Sequence, residues 1–161
     1  MYKSLSLLLS LCIVVVLSAC SSNKAVSLEL PSEIPDFVQQ TDFENVDWEK
    51  KAEEFGDWGV VGNDNMSGVI GADVSGLGPH KWMWHLWGIE NTELTIVGHH
   101  RESQLVEKIL TDGWTVHAQG ENNGADAHAP SNVEFSKPGE WAILLYTDGK
   151  LFDTLVFDLK E

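Results

Sequence analysis

From residue 57 onward, the apolar residues come in short runs that are separated by Gly, Asn, Asp and Pro. Many short strands at regular spacing, with no long helical pattern, are typical of β-sandwiches and barrels. The sequence therefore predicts one all-β domain over residues 57–161. The predicted strands are 58–62, 67–72, 81–88, 93–99, 114–119, 131–136, 140–147 and 150–159.

The last two predicted strands meet at Asp148-Gly149. An Asp-Gly pair between apolar runs is a strong hairpin signal, because both central residues of a type I′ turn need a positive φ. A closing hairpin of this kind, with Trp84 as a core tryptophan on a central strand, favours an immunoglobulin-like β-sandwich of about seven to eight short antiparallel strands. No pair of cysteines supports this fold, so its stability must come from packing.

The predicted strand at 81–88 is apolar on both of its faces. Successive side chains of a strand point to opposite faces. One face carries Trp82, Trp84 and Leu86, and the other carries Met83, His85 and Trp87. If this strand neighbours the final hairpin, one sheet has an apolar outer face that also includes Leu144 and Tyr146. Such a face is either an open binding site or is covered by the preceding acidic stretch through Phe43, Trp48 and Phe55.

The first 20 residues predict a membrane address. Lys3 precedes an apolar stretch that is too short to span a bilayer, so residues 1–19 are predicted to be a cleaved signal peptide. Leu17-Ser18-Ala19-Cys20 matches a bacterial lipobox, in which the cysteine receives a diacylglyceryl group. Cys20 is therefore the predicted lipidation site, and two acyl chains anchor a protein stably. The predicted localisation is the extracytoplasmic face of the cell membrane.

Residues 20–56 link this anchor to the domain. The stretch 21–41 has the composition of a tether, and 42–55 fits either a short helix or an acidic linker. The whole chain has a formal net charge of −15, which excludes a nucleic-acid binder that works through a basic face. Removal of residues 1–19 takes away Lys3 and no acidic residue, so the mature chain has a formal charge of −16.

The histidines raise the question of a metal site, because zinc and copper favour imidazole ligands. His85, Asp126 and His128 are the candidate ligands, although no motif fixes their geometry. The loop around Asp126 and His128 has two interpretations. It is either ordered by local hydrogen bonds, with Asp126 accepting backbone N–H groups and His128 packing on a tryptophan, or it contacts a ligand. No nucleophile elbow or phosphate-binding loop is present, so we expect no catalytic residues and no cofactor.

Three segments resemble a known family. KWMWHLWG at 81–88, ENNGADAHAPS at 121–131 and DGKLF at 148–152 are similar to segments of an uncharacterised family of Bacillus-type lipoproteins, the domain of unknown function 4871 (YhfM-like proteins). The resemblance covers residues 57–161, whereas 29–55 resembles no named family. It implies an immunoglobulin-like fold in a Gram-positive lipoprotein and transfers no activity.

Together, these observations predict a lipid-anchored lipoprotein with a non-catalytic binding or accessory role at the membrane–cell wall interface. Its expected partners are the membrane, through Cys20, and a protein or cell-wall component. A metal-binding lipoprotein is the alternative. The predicted contact residues are Met83, His85, Trp87, Tyr146, Asp126 and His128.

Overall fold

A computed structural model describes residues 28–161. The fold is an all-β sandwich of two antiparallel sheets, as predicted. The elements are α1 (Gln40–Glu44), β1 (Glu53–Phe55), β2 (Val60–Asn63), β3 (Ser67–Ile70), β4 (His80–Leu86), β5 (Thr92–His100), β6 (Val106–Glu107), β7 (Thr115–Ala118), β8 (Ala127–Val133), β9 (Gly139–Thr147) and β10 (Lys150–Leu159). Sheet I has the strand order β1-β2-β3-β4-β8. Sheet II has the order β10-β9-β5-β6, with β7 also paired to β5.

All eight predicted strands exist, with ends shifted by a few residues. The sequence missed β1 and β6, which have three and two residues. Sheet I therefore begins at Glu53, before the expected domain start at residue 57. The predicted closing hairpin is confirmed, since Thr147 pairs with Lys150 and the turn residues Asp148 and Gly149 have φ values of 50° and 70°.

The core lies between the inner faces of the two sheets. Trp82 and Trp84 of sheet I and Trp141 of sheet II are fully buried there, which confirms Trp84 as a core tryptophan. The Nε1 group of Trp84 donates to Ser131 Oγ at 2.8 Å, so its polar atom is also satisfied. These aromatic side chains supply the packing that replaces a disulfide in this sandwich.

Of the two alternatives for residues 42–55, a helix over the whole stretch is not what the structure has. The helix is only Gln40–Glu44, and turns follow it up to β1. The apolar residues Trp48, Ala52 and Phe55 have helical spacing, but each contacts a different part of the sandwich. Trp48 packs against His99, the N–H of Ala52 donates to a carbonyl of β10, and Phe55 lies on β1.

Residues 28–48, here called the N-terminal segment, pack on the outer face of sheet II. Val38 and Phe43 are buried against this face, and Val46 and Trp48 are partly buried there. The Tyr146 hydroxyl of β9 donates to Asp42 at 3.0 Å. Burial raises the pKa of Tyr146, so the hydroxyl remains protonated and keeps this bond. Within residues 28–161, no helix has the length and apolarity needed to cross a bilayer.

Candidate binding face

The second apolar face of β4 lies on the outside of sheet I. Residues that are directly paired in an antiparallel sheet point to the same face. One row of paired residues crosses all five strands of sheet I as Glu53, Gly62, Gly68, His85 and His128. A parallel row contains the pairs Phe55–Val60, Ile70–Met83 and Met83–Pro130. We call the exposed side of these two rows, together with Trp87 and Met66, the sheet I outer face.

The sheet I outer face keeps apolar surface accessible to solvent. The side chains of Phe55, Ile70, Met83 and Trp87 are each partly exposed, and Met66 is 39% exposed. The corresponding face of sheet II is closed, because its apolar side chains from Val97 to Val156 are at most 2% exposed beneath the N-terminal segment. Both faces therefore carry apolar side chains, but those of sheet II are covered and those of sheet I are partly open.

Two glycines shape the centre of the sheet I outer face. Gly62 and Gly68 pair with each other, so this position has no side chain on either strand. The Phe55 ring leans into the space, and a Cβ atom on Gly68 would lie 3.2 Å from Phe55 Cε1 and 2.4 Å from a methyl group of Val60. From there, the Phe55 ring reaches Trp87, at 5.5 Å between ring centroids. A glycine inside a strand commonly marks such a close approach.

A hairpin loop forms one border of this face. Residues 119–128, here called the Asn-Gly loop, turn at Asn123 and Gly124, with φ values of 50° and 84°. The loop is held against the end of β4 by hydrogen bonds. Trp87 Nε1 donates to the carbonyl of Gly124 at 2.8 Å, and the N–H of Gly88 donates to Asp126 Oδ2 at 2.6 Å. Asp126 therefore orders the loop through a backbone N–H, as one of the two interpretations expected.

His85 and His128 also contact the Asn-Gly loop through hydrogen bonds. His85 is fully buried, and its ring nitrogens lie 3.1 Å from the Met83 carbonyl and 3.3 Å from Asn122 Oδ1. Burial lowers the pKa of His85, so the imidazole is neutral at physiological pH. His128 Nδ1 lies 2.6 Å from the Gly120 carbonyl. Thus His128 closes the base of the loop by a hydrogen bond and not by packing on a tryptophan.

The structure brings together five of the six predicted contact residues, namely Met83, His85, Trp87, Asp126 and His128. The expectation that Leu144 and Tyr146 share their face is wrong. β4 belongs to sheet I and β9 to sheet II, so Tyr146 lies on the opposite side of the molecule. Its ring contacts Phe37 of the N-terminal segment, at 5.7 Å between centroids.

The question of a cover thus has two answers. Phe43 and Trp48 cover an apolar outer face, as one of the two alternatives expected, but this face belongs to sheet II. Phe55 instead extends sheet I as part of β1 and leaves the face around Met83 and Trp87 partly open. From the sequence alone, the outer faces of β4 and β9 look like one face, because long-range pairing decides the sheet to which each strand belongs.

The geometry does not favour the metal alternative. Among residues 28–161, no three His, Cys, Asp or Glu side chains lie close enough together to hold a metal ion. The three candidate ligands already have local partners, since Asp126 accepts from Gly88 and His128 contacts Gly120. His85 lies within hydrogen-bonding distance of Met83 and Asn122.

Sequence reasoning missed several residues of the face, chiefly Phe55, Gly62, Gly68 and Ile70. Their signal is the pair of glycines that interrupts two short apolar runs, because such glycines indicate close packing of another group. Phe55 falls in the stretch that fits a helix or a linker, which hides that it shares one face of β1 with Glu53.

Comparison with known proteins places the fold in a family. The family model described as Domain of unknown function (DUF4871) matches residues 37–157, which is most of the chain. This chain belongs to the DUF4871 family. The match confirms the resemblance and extends it, because the DUF4871 domain starts at residue 37 and includes much of the acidic stretch that resembled no named family.

A solved structure resembles the DUF4871 domain. It is an X-ray crystal structure of a protein from Bacillus anthracis, provisionally described as a lipoprotein. The two share 17% sequence identity with a TM-score of 0.64, over 83% of this chain and 100% of the other. At this identity the likeness establishes the fold. A search of the curated proteins finds no match.

Proposed function

We propose that this DUF4871 protein is a lipid-anchored extracytoplasmic lipoprotein that binds a protein partner through the sheet I outer face, without catalysing a reaction. The observation that carries the proposal is the contrast between the two sheets. The chain covers the apolar outer face of sheet II with its own N-terminal segment, yet the apolar side chains on the outer face of sheet I stay partly open. An accessible apolar patch on a small soluble domain commonly marks an interaction site.

The anchor is supported by the sequence and by the family. The lipobox ending at Cys20 lies outside the described residues, so its support comes from the pattern of residues 1–20. The structural neighbour from Bacillus anthracis is itself provisionally described as a lipoprotein. Together these observations favour attachment to the outer side of the cell membrane.

The rigidity of the face supports a binding role. Met83 lies on β4, which is paired with a strand on each side, and the indole of Trp87 is fixed by its hydrogen bond to Gly124. A preorganised surface loses less conformational entropy on association. Tryptophan is also among the residues that contribute most to binding energy at interfaces. The face therefore has both the residue types and the order that a protein partner requires.

Site-specific photo-crosslinking tests this proposal. The full chain is expressed in its native bacterium with a benzophenone amino acid in place of Met83, and in a control in place of Lys108, an exposed residue just after β6 of the other sheet. Illumination of intact cells is expected to give a discrete adduct from position 83 only. Adducts of equal yield from both positions, or none from position 83, would contradict the proposal.

Competition adds a matched control. An excess of the soluble chain starting at residue 21 is expected to abolish the adduct. The same chain with Met83→Glu should fail to compete, whereas Lys108→Glu should compete as well as the wild type. Equal competition by Met83→Glu would mean that the crosslinked partner does not bind this face.

A further inference from the structure

A groove lies at the β1–β2 side of the sheet I outer face. It has a volume of about 390 Å³, and Gly62 lies among its lining residues, next to the space left by the glycine pair. Phe55 and Met66 provide its apolar walls, and Glu53 and Asp64 add carboxylates. Gly62 is buried, because the backbone of β3 fills the position of its missing side chain, where a Cβ atom would lie 2.2 Å from the carbonyl oxygen of Ser67. A ligand in the groove therefore contacts the side chains that line it.

The charges of this groove are unbalanced. Glu53, Glu54 and Asp64 form no ion pair with any residue of the range 28–161. Of the two lysines in the lining, Lys51 pairs with Glu140, which lies outside the groove. Lys50 is exposed and is the one remaining cation among the lining residues. The groove therefore combines apolar walls with an excess of negative charge.

Arg101 of this chain is an example of a cation that binds between an aromatic ring and carboxylates. The Arg101 guanidinium lies 5.4 Å from the centre of the Trp48 ring and pairs with Glu140 and with Glu49. Aromatic rings and carboxylates together stabilise a guanidinium through cation–π attraction and charge-assisted hydrogen bonds. Phe55 with Glu53 and Asp64 offers the same two kinds of contact to a group from outside.

We propose that this groove binds a lysine or arginine side chain, so that the partner of the sheet I outer face presents a basic segment to it. The inference rests on the proposed function and specifies the chemistry of the partner. The aliphatic stem of the basic side chain packs on Phe55 and Met66, and its charged end meets the carboxylates. The net charge of −15 attracts such a segment over longer range and opposes a second copy of this chain.

The experiment is a titration of the ¹⁵N-labelled soluble chain, starting at residue 21, with N-acetyl-arginine amide, followed by NMR. N-acetyl-citrulline amide, which has nearly the same shape without the charge, is the matched ligand. Arginine is expected to cause saturable shifts of the Phe55, Gly62 and Asp64 amides with a millimolar Kd. Citrulline is expected to cause at least tenfold smaller shifts at the same concentration.

Two double variants test whether N-acetyl-arginine amide binds in the groove. Glu53→Gln with Asp64→Asn is expected to weaken arginine binding at least fivefold. Glu33→Gln with Asp112→Asn changes the net charge equally at exposed positions outside the groove and outside the sheet I outer face and is expected to stay within twofold of the wild type. Unchanged amide spectra away from the substituted residues confirm that each variant is folded.

Three results would overturn the inference: equal shifts with citrulline, equal weakening by both double variants, or shifts spread over the acidic surface. These outcomes are separate from the crosslinking test. An adduct from position 83 without arginine binding would reject the basic partner and retain the binding face. Arginine binding without an adduct would retain the groove as a site for basic side chains and would reject a partner of the sheet I outer face.

Discussion

His99 is a buried imidazole with an unusual environment. It is 2% exposed, and neither ring nitrogen has a hydrogen-bond partner in the described part of the chain. The ring lies between sheet II and the N-terminal segment, at 5.2 Å from the Phe43 ring and 5.4 Å from Trp48. Burial is the main cause that lowers the pKa of His99 to about 4. The folded state therefore favours the neutral form of the His99 side chain.

This residue predicts a loss of stability in acid. In the unfolded chain a histidine titrates near 6.5, whereas His99 in the fold resists protonation until about pH 4. The free energy of unfolding is thus unaffected by His99 above pH 6.5. It decreases by about 3 kcal/mol in total as the pH falls from 6.5 to about 4. The measurement is the free energy of unfolding by urea between pH 4 and pH 8. His99→Leu is expected to remove most of this decrease.

Two other histidines give this prediction its controls. The pKa of His85 is lowered in the same direction by burial, so a smaller acid dependence is expected to remain in His99→Leu. His117 is exposed, and His117→Gln is expected to keep the full decrease. If His99→Leu loses stability in acid as steeply as the wild type, burial of this imidazole is not the cause.

At the scale of elements, the N-terminal segment depends on the sheet beneath it. Its five-residue helix is far shorter than an isolated helix needs to be in water. Phe43 is 3% exposed and supplies much of the contact with sheet II. Phe43→Ala is therefore expected to destabilise the domain by about 3 kcal/mol, measured by urea unfolding at pH 7.

The neighbouring helical residue provides the comparison for this variant. Glu44 is exposed, so Glu44→Ala is expected to change the free energy of unfolding by less than about 0.5 kcal/mol. Equal effects of the two substitutions would show that the segment contributes nothing to stability by docking.

The Asn-Gly loop shows what local sequence can and cannot reveal about an element. Asn123-Gly124 predicts positive φ values, and the structure has them. The docking of the loop depends on Trp87 and Gly88, which are 37 and 38 residues from their loop partners. Such contacts follow from the approach of β8 to β4 and have no local signature.

At the scale of the whole molecule, most of the strands could be predicted because alternation and turn residues are local. β1 and β6 could not, since a strand of two or three residues has too few positions to show a period. The pairing of strands into sheets was also hidden. The apolar second face of β4 was correctly noticed, yet its neighbours were wrong because β9 pairs with β5 and β10.

The net charge of −15 leads to a prediction for the complete domain. Repulsion among excess acidic groups opposes the compact state, and salt screens this repulsion. Raising NaCl from 10 mM to 200 mM is expected to raise the melting temperature by about 4 °C, equivalent to about 1 kcal/mol. If a neutral osmolyte such as sucrose raises the melting temperature of the wild type as much as NaCl does, the effect is not electrostatic.

The start of the described fold sets how far the domain can move from the membrane. Glu29 already bridges to Leu105 next to β6, so the sandwich is engaged almost from Leu28. With lipidation at Cys20 as proposed, only residues 21–27 separate the acyl chains from that point. Even a fully extended chain of this length reaches no more than about 28 Å. An anchor at Cys20 would thus hold the start of the domain within about 28 Å of the acyl chains, and the proposed partner would meet the domain at the bilayer.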